Sequence, residues 1–263
     1  MSSMRSMSDP QVTIVTGASQ GIGRTIAVEF GKRGDVVVLA ARNLDGLEET
    51  ATIVEQVGGR PMVVETDITS EKSVNAMVEA ATSEHGGVDV LVNNSGVGGP
   101  SGNLWEVDPD EWKSTFDVNV FGVFLTTRAV MPFMIREKKG SVIIIGSISG
   151  KRPLMGRSAY TSTKTALIGL TKTLAIEAGP HGVRVNLISP GFVSGARIEW
   201  VMRAQSEARG IEVGDVRGEF EAKAALGRLT EPVDVAQTAV FLTSEGANGI
   251  TGADIDVNSG VWA

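Results

Sequence analysis

Val12-Thr13-Ile14-Val15-Thr16-Gly17-Ala18-Ser19-Gln20-Gly21-Ile22-Gly23 is the stretch from which the fold is read. Val12 to Val15 are apolar or β-branched and predict a short buried strand. A glycine-bearing turn follows at once. Apolar residues then recur at Ile22, Ile26, Ala27 and Phe30, the spacing of one helical face. Strand, glycine turn and helix in that order make a pyrophosphate cradle, because the free amides at a helix start face an anion. Gly17 lets the chain turn, Gly21 lets backbone approach the phosphates, and Gly23 lets helix and strand pack closely. The spacing is Gly-x-x-x-Gly-x-Gly, not the Gly-x-Gly-x-x-Gly of the usual dinucleotide fingerprint.

The same alternation continues outward. Strands are predicted at Asp35–Ala41, Pro61–Glu65, Val88–Val92, Val142–Ile145, Val183–Ile188 and Asp254–Val257. Helices are predicted at Leu44–Val57, Glu71–Glu84, Asp110–Lys138, from Tyr160 to the Gly179-Pro180 stop, and at Val233–Thr243. Asn119 falls inside the long helix, where an asparagine either marks a distortion or is merely tolerated. No linker or internal repeat interrupts the pattern. It predicts an α/β fold: a Rossmann-like, doubly wound parallel sheet of about seven strands with helices on both faces. Residues 1–10 read as a flexible tail and 11–263 as a single dinucleotide-binding and catalytic domain. The polar, charged segment near 193–226 reads as a substrate lid.

Composition narrows the chemistry. The net charge of −7, with no basic tract, argues against nucleic acid as partner. There is no cysteine, which removes disulfides, thiol catalysis and cysteine–zinc sites. His85 and His181 each precede a glycine at an expected helix end, where capping or solvation suits them, and no metal site is expected. No apolar run of membrane-spanning length is expected, and the polar N-terminus lacks a secretory apolar region. The expectation is a soluble cytoplasmic protein.

Strand ends carry the candidate ligand groups. The second strand ends at Ala41-Arg42 with no acid for a ribose diol, so Arg42 points to NADP, with NAD as the alternative. The third ends at Thr66-Asp67, where the carboxylate contacts an adenine amino group or caps the next helix. The fourth ends at Asn93-Asn94-Ser95-Gly96, small and carboxamide side chains that suit close passage of a nucleotide or an ordinary turn. Ser147 lies just past the Val142–Ile145 strand. Tyr160, the only tyrosine in the chain, precedes Lys164 by one helical turn. A phenol titrates near ~10 by itself, and an adjacent ammonium favours the phenolate and lowers that value toward usefulness in proton transfer. Ser147 at a strand end can hold a carbonyl oxygen while Tyr160 moves the proton.

Taken together, the glycine turn, Asn93-Asn94-Ser95-Gly96, Asn119, Ser147, Tyr160-x-x-x-Lys164 and Pro190-Gly191 resemble, in order and spacing, the classical short-chain dehydrogenase/reductase family over about Val12 to Val257. The resemblance implies Tyr160 as catalytic acid/base, Lys164 on the nicotinamide ribose and lowering the phenol pKa, Ser147 orienting the substrate oxygen, and Asn119 holding a water that links the lysine to solvent. It implies nucleotide contacts at Gly17, Ser19, Gln20, Gly21, Ile22, Gly23, Arg42, Asp67, Ile68, Asn94, Ser95, Gly96, Tyr160, Lys164, Pro190, Gly191 and Val193, and a homotetrameric assembly. Two positions depart from the family pattern. Ser95 replaces an alanine, and Gly195 stands where a threonine often contacts the carboxamide, so either Ser194 takes over that contact or the lid approaches differently.

The function these residues predict is NAD(P)-dependent hydride transfer between a secondary alcohol and a ketone. The alternatives are a 3-oxoacyl-thioester reductase and a non-catalytic nucleotide sensor. Ser149, Arg152, Leu154, Arg157 and Arg197 are candidates for the small-molecule substrate pocket, together with Val97 and Met155. The arginines either bind an anionic substrate or are rim charges.

Overall fold

Seven strands, β1 (Val12–Thr16), β2 (Val36–Ala41), β3 (Arg60–Glu65), β4 (Val90–Asn93), β5 (Gly140–Ile145), β6 (Val183–Pro190) and β7 (Asp254–Val257), form one sheet. Their order is β3-β2-β1-β4-β5-β6-β7, and every neighbouring pair is parallel. The computed structural model describes residues 10–261, so all of the expected tail except Pro10 lies outside the described residues.

Successive residues of a strand face opposite sides of a sheet, and here both sides are covered. Val12, Ile14, Val36, Val38, Leu91, Val142 and Ile144 pack on one side, under α3 (Glu71–His85), α5 (Gly122–Glu137) and α6 (Ser158–Ala178). Val15, Val37, Leu39, Val90, Val92, Ile143 and Ile145 pack on the other, under α1 (Gly21–Lys32), α2 (Leu44–Gln56) and α9 (Pro232–Thr243). Burial on both faces is why the inner strands read as unbroken apolar runs. The edge strands β3 and β7 are only partly buried, and β3 tolerates Pro61 because an edge strand need not donate on its outer side. A fully buried side chain such as Phe30, wholly inaccessible between α1 and the sheet, contributes about 1.5–3 kcal/mol.

Asp35, expected as the first residue of the second strand, precedes it. It is 2 % exposed and accepts hydrogen bonds from the Thr13 hydroxyl at 2.5 Å and from two Arg33 nitrogens at 2.9 and 2.7 Å. Its charge is thus paired where burial alone would be costly.

The long predicted helix is divided. α4 (Pro109–Phe116) passes through a π-turn at Asp117–Phe121 into α5. Asn119 thus sits in a distortion of the helix. The combined rod Pro109–Glu137 is long and apolar enough, by length and composition, to cross a membrane, which corrects the expectation of no such run. Its inward residues, from Val123 and Leu125 to Val130 and Met134, are core residues against the sheet. His85 ends α3 with Gly86 in the left-handed conformation, and His181 likewise precedes left-handed Gly182. After β6, α7 (Ala196–Arg209) and α8 (Val213–Glu221) form a separate small cluster around Met202, Val216, Phe220 and Leu229.

Candidate active site

β1 and β4 are neighbours in the sheet while the chain leaves them toward opposite edges, and such a switch point opens a crevice at the carboxyl ends. Thr16 ends β1 there. Its hydroxyl oxygen accepts the amides of Asn94 (3.0 Å) and Ser95 (3.1 Å) from the far side of the crevice. The Asn94 side chain returns two bonds, to the Thr16 and Gly17 carbonyls at 2.9 and 3.3 Å. The carboxamide predicted to face a nucleotide therefore braces the glycine turn. Gly17 and Gly21 take positive φ, 68° and 56°.

At Gly23 a Cβ would stand 2.2 Å from the Gly17 carbonyl oxygen and 2.3 Å from Asn94 Nδ2. Gly23→Ala must displace backbone, and overpacking of this kind costs about 1–3 kcal/mol or somewhat more. The expected result is a melting temperature lower by roughly 2–12 °C for a chain of this size, with nucleotide binding weakened in parallel. Unchanged melting and unchanged nucleotide affinity would show that the turn rearranges freely.

Ser147 follows β5, is 9 % exposed, and accepts the Ser149 amide at 3.1 Å as it opens a short 3-10 turn. Tyr160 and Lys164 share one face of α6. Lys164 is 5 % exposed, its ammonium donates to the Ile145 carbonyl at 2.9 Å, and Nζ lies 5.7 Å from the Tyr160 ring centre. Asn119 is 1 % exposed and fully engaged: its amide nitrogen donates to Val97 O (2.9 Å) and Thr163 Oγ1 (3.1 Å), and its oxygen accepts from Val97 N (2.8 Å). A π-turn in the α4–α5 rod accompanies this two-way pairing with a backbone segment outside the helix. Thr163 in turn donates to the Tyr160 carbonyl at 2.7 Å, linking Asn119 to the tyrosine helix.

Electrostatics make the phenol acidic. Burial pushes the Tyr160 pKa up, but Lys164, Arg197, a hydrogen bond with Ser147 and Arg157 together hold it below the usual phenol value. Burial lowers the Lys164 pKa, and Arg197 adds to that while Tyr160 opposes it. Arg157 and Arg197 place their guanidinium carbons 5.5 and 5.4 Å from the tyrosine ring centre.

Other predicted positions divide. Arg42 is exposed just past β2. Asp67 accepts the Thr69 amide and hydroxyl at 2.9 and 2.8 Å, and these bonds, against partial burial and with help from Arg42, hold its carboxyl below the ordinary value. It does not cap α3; Ser70 does. The Ile68 side chain is a core residue packed under Gly122, which leaves its backbone to meet any ligand. Gly191 donates to the Val257 carbonyl at 3.1 Å past Pro190, and Val193 pairs with Thr230. Ser194 donates its hydroxyl to Glu231 at 2.7 Å, which commits that proton away from the carboxamide contact considered for it. Ser149 is buried behind Ser147, Gln20 and Arg152 are exposed, and Leu154 is partly exposed on the loop before α6. Sequence reading missed Thr16 and Thr163. A threonine at a strand end and one on the tyrosine helix are too common for either to stand out before the partners are known.

The fold and this constellation define a doubly wound, parallel α/β protein with an acidified tyrosine near the carboxyl ends of the strands. A family model described as enoyl-(acyl carrier protein) reductase matches residues 17–262. The chain is 34% identical over 250 residues, 95% of its length and 98% of the relative's, to the 3-oxoacyl-[acyl-carrier-protein] reductase of Staphylococcus epidermidis. Among solved structures it resembles an actinorhodin polyketide ketoreductase with NADPH, at 30% identity and TM-score 0.92 over 96% of this chain and 97% of that one. It also resembles the 3-ketoacyl-(acyl-carrier-protein) reductase of Brucella melitensis complexed with NADH, at 33% identity and TM-score 0.85 over 96% and 98%. The chain belongs to the short-chain dehydrogenase/reductase family of oxidoreductases.

Proposed function

We propose that the protein is an NAD(P)-dependent oxidoreductase that interconverts a secondary alcohol and a ketone, with Tyr160 as the acid–base group. The observation that carries this reading is geometric: Tyr160 and the buried Lys164 ammonium share one face of α6, with Nζ 5.7 Å from the tyrosine ring centre and bonded to the Ile145 carbonyl at the end of β5, just before Ser147. A dinucleotide fits the residues present. α1 starts with no side-chain cap and no acid in its first turn, and a Cβ at Gly21 would meet nothing within 4 Å, so free amides and open space coincide where a diphosphate belongs. When bound, the nicotinamide supplies or accepts the hydride. The chain's own residues handle the proton. In reduction, Ser147 donates a hydrogen bond to the carbonyl oxygen and the Tyr160 hydroxyl proton passes to it as negative charge develops there. Lys164 stabilises the phenolate left behind. In oxidation, the phenolate takes the alcohol proton and the sequence reverses.

Names of similar proteins favour a second reading, reduction of a 3-oxoacyl thioester. One assay addresses both: NADPH and NADH oxidation with ketones, keto esters, keto acids and a 3-oxoacyl thioester, with Tyr160→Phe alongside. Turnover that depends on Tyr160 supports the oxidoreductase reading. Tight nucleotide binding with no turnover on any member or on the corresponding alcohols would return the sensor reading.

For the cofactor, exposed Arg42 at the end of β2, with no acid there, supports NADP over NAD. Arg42→Asp is expected to raise KM for NADPH by about 10-fold or more, the worth of one charge-assisted hydrogen bond, while KM for NADH holds or falls. Equal changes for both nucleotides would remove Arg42 from the choice. The same reading takes α7 and α8 as a lid over the substrate and the protein as a cytoplasmic homotetramer. Phe121 and Phe124 on one exposed face at the α5 end, and Ile176 at 77% exposure on α6, support the assembly.

A further inference from the structure

Three cations converge beside Tyr160. Lys164 is spoken for by the Ile145 carbonyl, but two guanidinium groups add to it from different elements. Arg157, just before α6, is anchored: it donates to Ser101 Oγ at 2.6 Å and to the Gly98 carbonyl at 2.7 Å, both neutral. Arg197, in the first turn of α7, is exposed and makes no hydrogen bond or ion pair among the described residues. The two converge: a Cβ built on Gly98 would lie 2.5 Å from Arg197 Nη2 and 3.0 Å from Arg157 Nη2. Among the described residues, no carboxylate figures in the charges acting on Tyr160, Lys164 or Arg157. Like charges held together without an anion repel, whereas Arg209 and Arg228 on the same surface are paired with Glu219 and Asp234.

Resting on the oxidoreductase reading above, we propose that Arg157 and Arg197 form an anion subsite and that the substrate is a carbonyl or hydroxy compound carrying a carboxylate or similar compact anion within a few bonds of the reacting carbon. A planar fork that presents two nitrogens suits a carboxylate, a sulfonate or a phosphate. The subsite abuts the phenol, so the anion must be close to the carbonyl. A 3-oxoacyl thioester has no charge there; its nearest anion is far along the carrier arm. The subsite therefore selects free oxo acids over thioesters.

The test compares each acid with its neutral twin: 3-oxobutanoate and 4-oxopentanoate against their methyl esters, plus a matched oxo sulfonate, with wild type, Arg197→Ala and Arg197→Lys. In wild type, kcat/KM for the preferred acid is expected to exceed that of its ester by roughly 10- to 100-fold, the worth of charge-assisted hydrogen bonds. Arg197→Ala is expected to bring that ratio close to one, and Arg197→Lys to restore part of it. The sulfonate arm shows which compact anion fits. Calorimetric binding of acid and ester to the nucleotide complex reads the same ratio without turnover, so it stands even if the chemistry assigned to Tyr160 fails. Equal binding and equal kcat/KM for acid and ester overturn the subsite while leaving the oxidoreductase reading intact. An Arg197→Ala loss shared equally by acid and ester, with the pH profile moved upward, overturns it in favour of a role confined to acidifying Tyr160.

Discussion

Tyr160→Phe is expected to bind NADPH and NADH as the parent protein does and to lose turnover by roughly 10²- to 10⁴-fold, the usual worth of a positioned acid–base group. The substitution deletes one hydroxyl and keeps the ring, so the packing of α6 and the cations around the ring stay in place. No second phenol exists to substitute, since Tyr160 is the only tyrosine in the chain. Fluorescence titration with the nucleotide and initial rates in both directions separate the two effects. Turnover equal to the parent's would defeat the assignment of the proton to this residue. Loss of nucleotide affinity comparable to the loss of rate would instead mean that the hydroxyl acts by holding the nucleotide and not by moving the proton.

Lys164→Met is expected to lower kcat on the order of 10²-fold or more and to move the pH profile in a set direction. Burial raises the Tyr160 pKa, and Lys164 is the largest of the contributions that hold it below the ordinary phenol value. Without the ammonium that pKa rises. Alcohol oxidation uses the phenolate, so its rate climbs as pH increases through the Tyr160 pKa, and in the variant the climb occurs at higher pH. Ketone reduction uses the protonated phenol, whose rate falls as pH passes that same value, so the variant's falling limb also moves to higher pH. Methionine approximates the lysine stem in a 5 % exposed position, which limits the packing loss. A profile that stays in place would show that the phenol is acidified mainly by Arg197, Ser147 and Arg157. Weaker nucleotide binding in the same variant is expected from the ribose contact that the family resemblance gives to Lys164.

These expectations use residues found in two different ways. The order of elements follows from local patterns. Val36 to Ala40 is buried throughout because both sheet faces are covered, and such a run announces an inner strand of a doubly wound sheet. Gly58, Gly86 and Gly182 take positive φ near helix ends or strand starts, so punctuation by glycine is also local. Tyr160 and Lys164 are four residues apart, so one helix places both. Boundaries were less legible: β4 begins at Val90, not Val88, and β6 runs on to Pro190, because ladder pairing with neighbours decides where a strand starts and stops.

Contacts between distant segments are another matter. Thr16 meets Asn94 and Ser95 across 78 and 79 residues, Asn119 meets Thr163 across 44, and Arg157 reaches Gly98 across 59. Asn94 and Asp67 show the consequence. Both were legible as polar groups at strand ends, yet whether their polar atoms face a ligand or brace a turn depends on the path of the neighbouring loop. Ser194 was legible as a substitute for a missing threonine, and only the position of Glu231 removed its proton from that role. The parallel sheet, the glycine turn and the tyrosine–lysine face are legible in the chain, since hydrophobic period and helical spacing are properties of adjacent residues. The tertiary structure alone decided which carboxamides brace the turn, why the helix at Asn119 widens, and that two arginines from separate elements meet beside the phenol. Those pairings depend on where long connections return, and nothing in the local chain encodes that.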